Sequence, residues 1–512
     1  MNDKICGYIL DKEQQSIVLD ESKNLLVVAG AGSGKTLTII GKIYYLIRYK
    51  NINPKDILCI SFTKASSDNL REKLKKELVC DIPVYTFHKL SLEILKENHM
   101  QYQIVENDML KNIITNFFAV EILDSSKHMT LVLNYFGEFL SFNIKKKYLE
   151  LLKSKRNELG LLYQLIETFI RLFKCNNHDV SDFIKFNQNS KKTIKFFQYY
   201  KEKSLLIIII NIFLKYQEYL EQNQEIDFDD MITKATSIVE QKGIKHRYQY
   251  VIIDEYQDTS KVRFLLIKSI LEKTGAKLMV VGDDFQSIYR FTGCDLSLFV
   301  DFVSYFDNAK IMKIQTTYRN SQELISVAGK FVMQNKKQIK KILISDKHLN
   351  KPIKIVYYQN IKDSFVRLVN KIYNETKKSI LVLGRNNKDI DVVLGEEFKL
   401  EDESLIYLKN PEINIKYLTV HRSKGLEADV VIIINMENNL LGFPNKIKDD
   451  RILRFVSINS EKQMYSEERR LFYVALTRTK SYVYLMTQKG NQSIFIDELL
   501  QNYKNEIELI SI

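Results

Sequence analysis

The sequence predicts an α/β protein with two parallel-sheet units, the first of them interrupted by an all-helical insertion. Three observations carry this. Short β-branched runs alternate with helical patterns, as the strands of a parallel sheet and their crossover helices do. The runs fall into two sets along the chain. Residues 90–225 show no convincing strand and read as helices rich in Lys, Phe and Leu.

The first set of strands is expected at 24–30, 57–62, 250–254 and 277–283. The second is expected at 310–315, 352–358, 379–384, 415–420, 429–435 and 481–486. This divides the chain into a first unit at 1–89 and 226–305, a helical insertion at 90–225, and a second unit at 306–512. The longest apolar stretch, Leu205 to Leu214, contains Asn211. It is about half the length that spans a bilayer, so it reads as a buried helix.

The 512 residues are 45% hydrophobic and 27% charged, which excludes a disordered chain. Lys and Arg outnumber Asp and Glu by 76 to 63, a formal charge of +13 that suits a polyanionic partner. The five cysteines (Cys6, Cys59, Cys80, Cys175 and Cys294) form no C-x-x-C pair, which argues against a disulfide framework or a zinc module. The segment MNDKICGYILDKEQQ has no apolar signal core. A cytoplasmic protein without a membrane partner is expected.

The sharpest local signal is Ala29-Gly30-Ala31-Gly32-Ser33-Gly34-Lys35-Thr36, between an apolar strand and a helical pattern. Glycines let backbone N–H groups curl around phosphates, and the helix N-terminus adds a favourable dipole. Lys35 supplies a charge for the outer phosphates, and the Thr36 hydroxyl can ligate Mg²⁺. Such a loop needs a carboxylate on a neighbouring strand. In YVIIDEYQD, Asp254 is positioned to hold the metal and Glu255 to orient or deprotonate a water. Together these residues predict a nucleoside triphosphatase.

In order along the chain, these and several further motifs resemble the UvrD/Rep group of superfamily 1 DNA helicases. Leu10-Asp11-Lys12-Glu13-Gln14 is similar to the group's Q motif, which implies that Gln14 reads the adenine edge. Ile60-Ser61-Phe62-Thr63 and Thr86-Phe87-His88 resemble its single-strand contacts, and Asp227-Phe228-Asp229-Asp230 its DFDD element. In GDDFQSIYRF (282–291), the resemblance makes Gln286 a γ-phosphate sensor and Phe291, beside Arg290, a base-stacking residue. Thr317-Tyr318-Arg319 implies Tyr318 against adenine and Arg319 as an arginine finger. In TVHRSKGLE (419–427), the resemblance implies that His421 touches DNA and that Gly425 and Glu427 bind the nucleotide, Glu427 near the ribose. Arg478, closing EERRLFYVALTR, would be the second finger.

The wording resembles the helicase IV branch of that group, including GFP at 442–444. Leu37 stands where UvrD carries an arginine on the adenine, and Lys64 where Asn or Arg is usual. The short stretch between Arg385 and the strand at 415–420 implies that the large regulatory insertion of the second domain is absent. The Q-like segment lies close to Met1, so a role that relies on a long N-terminal arm is not expected.

The resemblance implies two RecA-like domains that use ATP and Mg²⁺ and move 3′ to 5′ on single-stranded DNA. The implied catalytic set is Lys35, Asp254, Glu255, Gln286, Arg319 and Arg478. Phe62, Phe87 and Phe291 would offer stacking faces worth about 1–3 kcal/mol per base, unless they are core side chains. Lys145-Lys146-Lys147 is either a solvated face or part of a duplex-binding surface. The expected substrates are single-stranded DNA and tailed duplexes, in repair, replication or recombination. An alternative is an ATPase subunit whose partner, a nuclease or repair factor of a repair or phage-defence complex, supplies the output.

Overall fold

The computed structural model describes residues 4–78, 80–138, 143–190, 196–457 and 463–511. Its first sheet has six parallel strands, in the order Ala309–Ile314, Asn24–Ala29, Lys277–Gly282, Tyr250–Ile253, Ile57–Ser61, Val84–Thr86. The second has eight, in the order Phe398–Glu401, Ser404–Tyr407, Ile415–Thr419, Ile380–Gly384, Val430–Ile433, Val483–Gln488, Ile353–Tyr358, Ile507–Ser511. Ser404–Tyr407 pairs antiparallel with both Phe398–Glu401 and Ile415–Thr419, and the other pairs of this sheet are parallel.

Continuous apolar strands follow from helices covering both faces. Along Asn24–Ala29, Leu25, Val27 and Ala29 join the core under helices Lys12–Leu19, Lys35–Arg48 and Lys64–Leu78. Leu26 and Val28 join the opposite core, under helices Phe87–Glu97, Phe228–Lys242 and Lys261–Thr274. In the second unit, helices Gln322–Val332 and Ser466–Leu476 cover one face of the sheet and Ile361–Thr376 the other.

Two expectations are corrected. The strand expected to open the second set, at 310–315, pairs in register with Asn24–Ala29, so the first sheet extends past residue 305. Its neighbour ends in the phosphate loop, and this pairing brings the chain after Ile314 directly to that loop. The boundary expected at residue 89 falls inside helix Phe87–Glu97, whose Phe87, Leu90, Ile94 and Leu95 belong to the first unit's core. In the stretch after Arg385 the described chain forms a 3₁₀ turn, Asn387–Val392, and the edge hairpin.

The insertion has its own core, in which helices Met109–Ala119, Arg156–Cys175 and Phe196–Gln222 bury Phe118, Phe169 and Ile209. A two-residue parallel pair, Gln103–Ile104 with Glu225–Ile226, closes its base. Leu205 to Leu214 lies within the last of these helices, and Asn211 donates to the Ile207 carbonyl at 2.8 Å. No helix among the described residues is long and apolar enough to cross a membrane.

A strap from the second unit is anchored in that core. Ile452, Leu453 and Val456 are buried in it, and Phe455 stacks on Phe186 with ring centroids 5.2 Å apart. Arg454 donates to Glu202 at 2.9 and 2.7 Å, and the Asn176 amide donates to the Val456 carbonyl at 2.6 Å. We expect Ile452→Ala to cost about 2–5 kcal/mol in denaturant unfolding of the intact chain. Ile447→Ala, at an exposed position of the same strap, should change stability by less than about 0.5 kcal/mol.

Candidate functional site

The phosphate loop leaves strand Asn24–Ala29 and turns sharply at Gly32, whose φ is +70°. A Cβ there would lie 2.5 Å from Arg319 Cβ and 2.9 Å from Thr317 Oγ1, so only glycine fits. The loop carbonyls are pinned by neighbours. Ala31 accepts from the Thr317 hydroxyl at 2.7 Å, Gly32 from the Tyr318 N–H at 2.9 Å, and Ser33 from the Gln14 amide at 3.2 Å. The first-turn N–H groups of Lys35–Arg48 have no intrahelical acceptors, which makes this end an anion site. The Ser33 hydroxyl is buried with no hydrogen-bond partner among the described residues, an orphan that a phosphate oxygen would satisfy.

Lys35 pairs with Glu255 at 3.0 Å. Asp254 follows strand Tyr250–Ile253 and accepts the Glu255 N–H at 2.9 Å. Burial, and then the charge of Glu255, push Asp254 up from the usual carboxylate range. Burial acts upward on Glu255 too, but Lys35 and Lys424 outweigh it and hold Glu255 low. One acid is thus held ionised by its lysines, while the other gains most from a nearby cation. The Asp254 carboxylate and the Thr36 hydroxyl are the hard oxygen donors that Mg²⁺ takes alongside phosphate oxygens.

The far wall comes from the second unit and the chain leading to it. Arg478 is buried and donates to Gln286 Oε1 at 3.2 Å, the Leu426 carbonyl at 3.1 Å and the Val474 carbonyl at 2.9 Å. Arg319 donates to Glu427 at 2.9 Å. Gly425, at φ +87°, makes the turn that presents Leu426 and Glu427. Burial, and then the adjacent Arg319, work against the charge on Arg478. A buried guanidinium without a carboxylate partner among the described residues, beside a second guanidinium paired to Glu427, fits a polyphosphate.

Tyr318 is half-exposed, and its hydroxyl donates to Asp11 at 2.7 Å. Asp11 caps helix Lys12–Leu19 in a reciprocal box with Gln14. The Gln14 amide therefore bonds protein at both ends, to the Asp11 N–H and to the Ser33 carbonyl. The cap and the loop thus fix the Gln14 side chain beside the phosphate loop, with one N–H and one lone pair of the amide left over.

Beyond Gln286 the same segment enters a second cavity, of about 700 Å³, lined by Phe291, His421, Arg385, Lys446 and Glu467. Phe291 is 56% exposed and meets His421 edge-on at 5.4 Å. Arg290 is paired with Glu467 and Asp449 at 2.9 and 2.7 Å, and Arg385 with Glu468 at 2.7 Å. Phe62 lies between Tyr289, stacked at 6.0 Å, and the Arg263 guanidinium, 4.7 Å from its centroid. Thr63 accepts the Ser66 N–H at 3.1 Å at the start of helix Lys64–Leu78.

The expectation for Phe87 is corrected. It is 3% exposed within the first unit's core and offers no stacking face. His88 packs on Phe228 at 4.7 Å. Burial and then Arg263 push His88 down to about 4, and burial, Arg385 and Lys424 do the same to His421. Both imidazoles are neutral near neutral pH and act as hydrogen-bonding groups, not as cations.

Residues 10–307 match the family model for the UvrD/REP helicase N-terminal domain, and residues 394–490 that for the UvrD-like helicase C-terminal domain. The chain belongs to the UvrD/Rep helicase family. It is 26% identical to DNA helicase IV of Escherichia coli, over 96% of this chain and 70% of that protein. It is 26% identical to the ATP-dependent DNA helicase Rep of Buchnera aphidicola subsp. Baizongia pistaciae, over 91% and 64%. For the ATP-dependent DNA helicase PcrA of Bacillus subtilis the identity is 27%, over 68% and 42%.

Within this helicase family member, some side chains at the site escaped sequence reasoning. Lys424 bonds Asp258 and, at 2.7 Å, the Gln286 carbonyl; it stands in a recognised motif, but no spacing marks it. The Tyr473 hydroxyl accepts the Ala31 N–H at 3.4 Å, and Arg263 underlies Phe62. We expect Phe87→Ala to lower stability by about 3–5 kcal/mol, read by urea unfolding. Phe291→Ala should leave unfolding unchanged and weaken binding of a labelled single strand by about 1–3 kcal/mol, read by anisotropy.

Proposed function

We propose that this chain is an ATP-dependent DNA helicase that moves 3′ to 5′ along single-stranded DNA, driven by hydrolysis of Mg²⁺-bound ATP. One observation carries the reading: Lys35, Asp254 and Glu255 of the first unit face Arg319 and Arg478 across one cleft, and Gln286 touches Arg478 five positions before exposed Phe291. In this reading Glu255 takes the proton of the attacking water and Gln286 reports the γ-phosphate. Thr36 and Asp254 hold the metal, which supplies charge neutralisation of the phosphates. Arginines supplied across a cleft are worth roughly 10³–10⁵ in rate for a P-loop enzyme, so hydrolysis requires the two units to close. Single-stranded DNA would lie over Phe291, His421 and Arg290. The work would be in DNA repair, replication or recombination in the cytoplasm.

A second reading is an ATPase subunit whose output comes from a nuclease or repair partner. The acid-paired arginines of the channel favour it, because a partner could release them.

Strand displacement on 3′-tailed and 5′-tailed duplexes tests the proposal. Unwinding of the 3′-tailed substrate alone supports it; unwinding of the 5′-tailed one refutes the polarity. DNA-stimulated hydrolysis without unwinding supports the subunit reading. Lys35→Ala should abolish DNA-stimulated hydrolysis. Glu255→Gln should lower kcat by about 10²–10⁴-fold while fluorescent ATP still binds.

A further inference from the structure

Between helix Gln322–Val332 and strand Ile353–Tyr358, both of the second unit, the chain crosses to the first unit and returns. Residues 338–345 make this excursion, and three of its contacts fall on nucleotide-site elements. The Ile339 N–H donates to Asp284 at 2.8 Å, and the Ile344 carbonyl accepts the Thr317 N–H at 2.8 Å. Leu343 lies so close under Gly30 of the phosphate loop that a Cβ there would be 2.4 Å from it.

At the centre is Lys341, whose side chain is wholly buried. Its ammonium pairs with Asp283 and, at 2.6 Å, with Asp284, both fully buried, and lies 3.7 Å from the centroid of the Phe285 ring. A buried ion cluster is a poor way to gain stability, since desolvation offsets most of the attraction. What it supplies is geometry. Asp283 gives one oxygen to Lys341 and the other to the Gln286 amide at 2.7 Å, and Gln286 in turn accepts from Arg478 at 3.2 Å. The line of bonds runs without water from the excursion to the side chain facing the arginine of the second unit.

We infer that Lys341 is a positioning residue that ties the setting of Gln286 to the movement of the second unit, and thereby couples nucleotide binding to DNA binding. The inference rests on the ATP-driven DNA helicase reading. When the units shift, the excursion moves with the second unit's helix and strand. Lys341 carries Asp283 with it, and Gln286 follows.

The test compares single-stranded DNA affinity with and without a saturating non-hydrolysable ATP analogue, by anisotropy of a labelled oligothymidine. Couplings of this kind are typically about 5- to 150-fold. Lys341→Met combined with Asp284→Asn removes the cation and one of its two acids, so the net charge of the buried cluster is unchanged and Asp283 keeps its bonds to the Phe285 N–H and the Gln286 amide. We expect this variant to reduce the wild-type coupling to less than about twofold, with kcat lowered and the KM for ATP unchanged. Asp284→Asn alone keeps the Lys341–Asp283–Gln286 line and should keep the coupling. A merely structural lysine would lower stability without this split. Coupling retained in the double variant overturns the inference.

A second measurement needs no variant. The amides of residues 338–345 in the wild-type chain should change their hydrogen exchange when the analogue binds, and unchanged exchange also overturns the inference. If the wild-type chain shows no DNA-stimulated ATP hydrolysis, the underlying reading fails, and the inference with it.

Discussion

Lys35 and Glu255 lie 3.0 Å apart, both largely buried and partly open to solvent, and that pair sets the charge state around it. Low dielectric makes each unpaired charge expensive, so the acids of the first unit carry matching cations from elsewhere. Lys424 from the second unit answers Asp258, and Lys341 from the excursion answers Asp283 and Asp284. Arg478 has no carboxylate among its described hydrogen-bond partners. Arg478 is thus the cation beside the phosphate loop that lacks an acid of its own among the described residues. In the ATP-dependent reading a polyphosphate would supply that anion, and the nucleotide would act as a structural component of the interface between the units.

The same elements hold the loop open to that ligand. Its carbonyls are engaged by Thr317, Tyr318 and Gln14, and its tightest turn lies against Arg319. All three pins come from helix Lys12–Leu19 or from the chain just after strand Ala309–Ile314. That strand must therefore pair in the first sheet, beside the strand that enters the loop. Its place there is a requirement of the site.

Much of this was legible in the sequence because it is local. The strands are apolar runs with clear ends, and the phosphate loop, the Asp254-Glu255 pair and the arginines lie in compact motifs whose order can be read. What was not legible depends on pairing across long separations. Nothing in the run Lys336-Lys337-Gln338-Ile339-Lys340-Lys341 distinguishes the last lysine, which is buried, from its neighbours; only the fold brings it to Asp283. Phe87 follows the same logic in reverse. It begins an amphipathic helix, and the hydrophobic spacing through Leu90 and Ile94 assigned it to the core as strongly as the motif assigned it to DNA.

The channel beside Phe291 shows what the charge constraint implies for a polyanion. Two of the cations lining it, Arg290 and Arg385, are already matched by Asp449, Glu467 and Glu468, and Lys446 and Lys448 line it as well. A DNA phosphate paired with either arginine would exchange one anion for another, so those two pairings would add little net attraction while the acids stay in place. In the proposed helicase, affinity would come from stacking on Phe291 and from phosphate contacts to Lys446 and Lys448, which release counterions from the strand. Neither depends on base identity, which suits a strand that is held and released one nucleotide at a time.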